Sequence, residues 1–115
     1  MRDTNIMIGY HAHIYFIDAK QREHAKWLWE TARDTIPGTV CTDWADKPVG
    51  PHPVPMCLIE FDNDNFDDVI QFLMLNRENL SILVHPLHGD PLAEHRDDSF
   101  WLGNQFPLKL SIFKR

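Results

Sequence analysis

Four short segments of this chain carry residues that could do chemistry together. "YHAHIYF" (Tyr10 to Phe16) sets His11 and His13 one residue apart in an aromatic, apolar run. Such a run reads as a β-strand, whose side chains alternate between faces. Tyr10, Ala12, Ile14 and Phe16 then share one face, and His11, His13 and Tyr15 share the other. With a rise of ~3.3 Å per residue the two histidines stand about 7 Å apart at Cβ, close enough for both rings to reach one ion above the strand. His-x-His on a strand is therefore a metal half-site, or else a pair of histidines hydrogen-bonded to their neighbours.

The other segments extend that pattern. "GPHP" (Gly50 to Pro53) holds His52 between Pro51 and Pro53, which restrict the backbone on both sides. "LVHP" (Leu83 to Pro86) gives His85 the strand parity of Ser81 and Leu83, opposite to Ile82 and Val84. If Ile82 and Val84 face the helices, His85 joins His11 and His13 on the open face. In the fold expected below, the first strand is central and the fourth is an edge beside it, so His85 lies laterally near His11 or His13 at the ~4.8 Å strand spacing. Pro86 is expected to end that ladder. "LHGDPLAEHRDDSFWLGN" (Leu87 to Asn104) shows no regular element, and loops of that length are commonly functional. It carries His88, His95, Arg96 and Trp101. His95 is placed to reach back over the sheet as an acid–base group, Arg96 to hold a carboxylate bidentately, and Trp101 to meet a ligand. Glu60 is the strand carboxylate that could complete a two-histidine, one-carboxylate iron site, or it simply faces solvent. His24 reads as a surface residue of the first helix, and Trp27, Trp29 and Trp44 as packing residues.

The elements that must position these groups follow from patterning. A strand is expected from about Met7 to Ile17. Asp18 then caps a helix from about Ala19 to Thr35, with Gln21 where a capping-box partner belongs. Ala25, Leu28, Trp29, Ala32 and Ile36 recur at helical spacing on its apolar face, and Pro37-Gly38 ends it. "TVCTDW" (Thr39 to Trp44) and "MCLIEF" (Met56 to Phe61) read as strands, joined by a proline-rich loop that excludes regular pairing. "DNDN" leads into a second helix built on Phe66, Val69, Ile70 and Leu73, ending near Asn76-Arg77. "LSILVH" (Leu80 to His85) is a fourth strand, and "PLKLSIF" (Pro107 to Phe113) alternates as a fifth. The order is β-α-β-β-α-β plus a C-terminal strand. This α+β class predicts a ferredoxin-like antiparallel sheet with two helices on one face, as a single domain over residues 1–115.

Bulk properties narrow the classes. A net charge of −6 with no basic run argues against nucleic-acid binding. No apolar run reaches spanning length and the first residues lack a signal core, so a soluble cytoplasmic protein is expected. Cys41 and Cys57 form no CxxC pair and are read as free thiols.

Taken together, "YHAHIYF", "GPHP", "LVHP" and "EHRDDSFWLG" resemble the DOPA 4,5-dioxygenase family in order and spacing, over nearly the whole chain. The resemblance implies a small ferredoxin-like enzyme, often dimeric, that opens a catechol ring extradiol with non-haem Fe(II) and O2. The family's histidine motifs fall on His11, His13, His52, His85 and His95. Two positions depart from its pattern: His88 stands where a threonine follows His-Pro-x, and Glu94 where an aspartate precedes the last histidine. On this reading iron is held among His11, His13 and His85, while His52 or His95 serves as base and then acid. Tyr15, Arg96 and Trp101 contact the substrate. The expected partners are a catechol-type substrate, O2 and a second copy of the chain. Two alternatives remain, a dimeric module that binds a small aromatic ligand without catalysis, and a zinc–histidine site.

Overall fold

The structure is a computed structural model and describes residues 1–113. The alternating first run forms β1 (Gly9–Tyr15), and Asp18 caps α1 (Ala19–Thr35) by accepting a hydrogen bond from the Gln21 backbone N–H. Gln21 reaches back to the Ile17 N–H rather than to Asp18 itself, so the box is closed one residue early. β2 (Val40–Ala45) and β3 (Met56–Phe61) follow, then α2 (Phe66–Asn76) and β4 (Ser81–Leu87). Two further elements complete the chain, α3 (Pro91–Arg96) and β5 (Phe100–Leu102).

All strand pairs are antiparallel, in the order β2-β3-β1-β4-β5. β1 is central, as expected. Its Ala12 and Ile14, with Phe16 just beyond it, pack with Cys57, Ile59, Phe61, Ile82 and Val84 against Ala25, Leu28 and Ala32 of α1 and Val69 and Leu73 of α2. Both long helices therefore cover one face, and strand parity sends His11, His13, Tyr15 and His85 to the other. The buried Asn65 ties the two helices at their ends, donating to the Pro37 carbonyl and accepting from the Asp62 N–H.

The C-terminal third differs from the sequence expectation in three ways. The segment read as irregular contains α3 and β5. Its helix begins at an Asp90 cap followed by Pro91 in the first turn, which is a regular start signal on a helix too short to show periodicity. The fifth strand is Phe100–Leu102, pairing with Ile82, Leu83 and Val84, so β4 is internal there instead of an edge. Residues 107–113 form no strand. They fold across the open face, where Phe106 and Leu108 join Tyr15, Met56, Leu83 and Trp101 in a second apolar cluster, and Lys109 N–H bonds the Pro51 carbonyl. Pro86 does not end β4, which runs on to Leu87 opposite Gly9. Pro86 lies beyond the three residues paired with β5, and an edge position tolerates a missing donor.

Cys41 and Cys57 are free thiols. Among the described residues, no helix is long and apolar enough to cross a membrane.

Candidate metal centre

The register of the central strands sets the first contacts of the site. His11 is the direct partner of His85 on β4 and of Glu60 on β3, so these three side chains form a row across the sheet. His13 stands two residues along the same face. Nitrogens of His11, His13 and His85 all lie within 4.8 Å of one another. His52 arrives from the β2–β3 loop, its ring 4.1 Å from that of His13. His95 arrives from α3, its ring 4.0 Å from that of His85. All five histidines assigned by motif are thus brought into one cluster.

Burial decides their charge state. His13, His52 and His85 are at most 5% exposed. Loss of hydration, and then the proximity of the other imidazoles, disfavours the protonated forms. His85 is pushed down to about 3 and His52 to about 4. His13 is held well below its usual value, and His95 is lowered as well, for the same leading reason. At neutral pH these four rings are neutral, which is the form that offers a lone pair to a metal.

Two tautomers follow from the backbone. His85 Nδ1 lies 3.0 Å from the Pro86 carbonyl and His95 Nδ1 lies 2.7 Å from the Pro91 carbonyl. A carbonyl only accepts, so each Nδ1 carries the hydrogen and each Nε2 is bare. Such backbone fixing of the distal nitrogen is the usual second shell of a ligating histidine. His13 Nε2 stands 3.0 Å from the bare His85 Nε2, while His13 Nδ1 is buried with no partner. A buried, half-unpartnered imidazole aimed at a second imidazole is poorly satisfied by protein alone. A divalent ion suited to nitrogen donors could take the Nε2 lone pairs of both rings together with His11, so the residues present fit a metal.

Carboxylates flank the cluster. Glu60 Oε1 is 3.5 Å from His11 Nε2 and its side chain is about half-exposed. Glu94 is buried, and its ligand atom lies within 4.8 Å of those of His85 and His95. Its Oε2 also accepts the backbone N–H groups of His88 and Gly89 at 2.7 and 2.9 Å, fixing the turn between β4 and α3. Sequence reading named Glu94 only as a departure from the family's aspartate and gave it no role in the turn or the site, because its helix went unrecognised. The Asp90-Pro91 start signal was the clue. Phe113, whose ring is 4.7 Å from that of His95, was missed for a related reason, having been assigned to a strand.

The remaining sequence candidates fall in different places. Trp101 and Arg96 line a cavity of about 370 Å³ with His95, Ser99, Phe106 and Leu108. Arg96 is exposed and presently forks onto Asp97. Tyr15 is buried beneath that cavity's wall, stacked on Trp101 with ring centroids 5.6 Å apart, and its hydroxyl is 2.6 Å from His52 Nδ1. His88 turns away from the cluster to Asp98, which Arg2 also grips through both guanidinium nitrogens. Together they hold the Asp98 carboxyl far below the usual carboxylate range. His24 is no simple surface residue, since its Nε2 donates to the Asn76 carbonyl at the end of α2. Trp29 and Trp44 pack against the core, Trp29 donating to the Leu58 carbonyl, and Trp27 is half-exposed over His24.

Residues 10–112 match the model of the Dopa 4,5-dioxygenase family. The chain belongs to this family. It is 38% identical over 124 residues to an uncharacterized 21.2 kDa protein of Botryotinia fuckeliana, covering 98% of this chain and 67% of that protein. It is 44% identical over 64 residues to a DOPA 4,5-dioxygenase of Amanita muscaria, a match that covers 56% of this chain but only 28% of that protein's length. Among solved structures, a candidate dioxygenase of Nostoc punctiforme superposes with a TM-score of 0.92 at 41% identity, covering 96% of this chain and 95% of that one. The match spans the segments that build the histidine cluster, and it points to a dioxygenase-like function.

Proposed function

We propose that this family member is an extradiol dioxygenase that opens a catechol-type ring, DOPA-like in substituents, using O2 and non-haem Fe(II). The observation that carries the reading is the meeting of five imidazoles, four of them held neutral, beside a cavity lined by an aromatic ring and a guanidinium.

His11, His13 and His85 are the donors that would hold the metal. Nε2 of His13 and Nε2 of His85 face each other at 3.0 Å, close enough for both to serve one ion. Nitrogen donors of this kind would suit ferrous iron and would leave positions open for a diol and dioxygen. Bound there, ferrous iron supplies Lewis acidity toward the diol oxygens and the one-electron chemistry that lets a closed-shell ring react with dioxygen.

The chain's own residues do the rest. His95 presents a bare Nε2 and accepts a proton from the catechol as the diol docks, a role suited to a neutral imidazole. Trp101 and Phe106 flank the ring and exclude water. Arg96 leaves Asp97 to fork onto a substrate carboxylate. The ring C–C bond beside the diol is cleaved, both oxygen atoms enter the product, and a ring-opened semialdehyde leaves.

The test is anaerobic loading with Fe(II), followed by catechol or DOPA in air. Iron-dependent oxygen uptake with a yellow product, lost in His11→Ala, His13→Ala and His85→Ala, is the expected result. Stoichiometric iron with no uptake on any catechol would overturn it.

A further inference from the structure

The histidines at the site do not all present the same edge to it. His85 and His95 give their Nδ1 hydrogens to backbone carbonyls and keep Nε2 bare. His52 has no carbonyl at Nδ1. It meets the Tyr15 hydroxyl there, at 2.6 Å.

Tyr15 is 1% exposed, its ring enclosed by Met56, Leu83, Trp101 and Phe106. Its hydroxyl carries one hydrogen, and a buried hydroxyl hydrogen requires an acceptor. Among the described residues the hydroxyl has a single hydrogen-bond partner, His52 Nδ1. If Nδ1 were instead protonated and donating, the phenol hydrogen would be buried with nowhere to go. The bond therefore runs from Tyr15 to His52. A neutral imidazole that accepts at Nδ1 carries its hydrogen on Nε2, and this nitrogen has no hydrogen-bond partner among the described residues. The Pro51 and Pro53 flanks and the His52 N–H bond to the Val49 carbonyl hold the ring's backbone in place.

We propose that Tyr15 is a positioning residue that fixes His52 as the Nε2–H tautomer, making His52 a hydrogen-bond donor to an oxygen in the site and not a metal ligand. The assignment of that oxygen to substrate or dioxygen rests on the dioxygenase reading, whereas the tautomer does not. The site is thereby divided, with bare nitrogens at His85 and His95 and an N–H at His52. On the catechol reading, His95 takes the proton and later returns it, while the His52 N–H holds an oxygen by a hydrogen bond, so each keeps a single task.

Long-range proton–nitrogen correlation spectra of the full chain, metal-free and labelled with ¹⁵N-histidine, read the tautomers directly. His52, assigned by its absence in His52→Gln, is expected to show a protonated Nε2 and a pyridine-type Nδ1. Tyr15→Phe, which preserves the stacked ring, is expected to lose that signature while His85 and His95 keep theirs. With iron loaded, kcat in Tyr15→Phe is expected to fall at least about tenfold with metal content unchanged. A protonated Nδ1 in the wild-type spectrum, or an unchanged His52 in Tyr15→Phe, would overturn the inference whether or not the enzyme turns over. If Tyr15→Phe does not fold, the wild-type spectrum still decides. Loss of metal from His52→Gln would also overturn it, by making His52 a ligand. Absence of turnover in wild type, with the tautomer as expected, would overturn the dioxygenase reading alone.

Discussion

Nε2 of His13 and Nε2 of His85 face each other at 3.0 Å from adjacent strands, and the second is bare because its ring partner is bound to the Pro86 carbonyl. The sheet thus holds two imidazoles close enough to share one cation. Each of the following expectations comes from this arrangement or from the groups that support it.

Removing either ring should abolish tight metal binding. His13→Ala and His85→Ala are each expected to weaken Fe(II) affinity by more than about 100-fold, beyond the 10–100-fold typical of outer-shell changes. Elemental analysis after desalting, together with an unchanged circular dichroism spectrum, checks this. Full metal content in both variants would remove these rings from the donor set.

The metal-free chain should lose stability on mild acidification. An unfolded histidine protonates near 6.5, whereas folded His52 and His85 stay neutral until about 4 and 3. Between those values the unfolded state binds more protons, so stability is complete above about pH 6.5 and falls as pH drops towards the folded values. Each such histidine contributes a slope of about 1.4 kcal/mol per pH unit. Urea denaturation at pH 7 and pH 5 measures it, and His85→Gln should flatten the difference.

Glu94 should matter to the fold of the site before it matters to chemistry. Its buried Oε2 takes the N–H groups of His88 and Gly89. Glu94→Ala leaves both donors unmatched and is expected to cost about 1–3 kcal/mol. Denaturant midpoints give the cost, and displacement of the His95 ring should appear in the histidine spectra.

Arg96 should act on selectivity. Arg96→Gln is expected to raise KM for a carboxylate-bearing catechol about tenfold while leaving unsubstituted catechol unchanged, because the guanidinium recognises the carboxylate alone. Oxygen-uptake kinetics on the paired substrates separate the two. Equal effects on both would place Arg96 outside the substrate contact.

What was legible in the sequence is what strand parity controls. Alternation through Tyr10–Phe16 assigned both faces of β1, and the opposite parity of Ile82 and Val84 placed His85 near His11 or His13; the register pairs it with His11. Asp18 marked the start of α1 to the residue. Short elements were illegible. α3 has six residues and β5 three, too few for a period to emerge, so a helix and a strand were read as loop. The alternation of "PLKLSIF" was real, but it reports one apolar side and says nothing about a ladder partner. Leu108 satisfies it by packing on the open face against Tyr15's cluster. Tautomers were out of reach, because they depend on which carbonyl or hydroxyl stands at each Nδ1.

His11, His13 and His85 sit in strands β1 and β4 at the middle of the sheet, while His52 and His95 ride on the connections around it. The backbone that carries the first three is fixed by ladder hydrogen bonds, whereas the other two depend on the path of a loop and of a six-residue helix. An insertion or substitution in either connection would therefore change the ring it carries and the cavity wall without moving the strand register, so the site is built in two parts that tolerate sequence change differently.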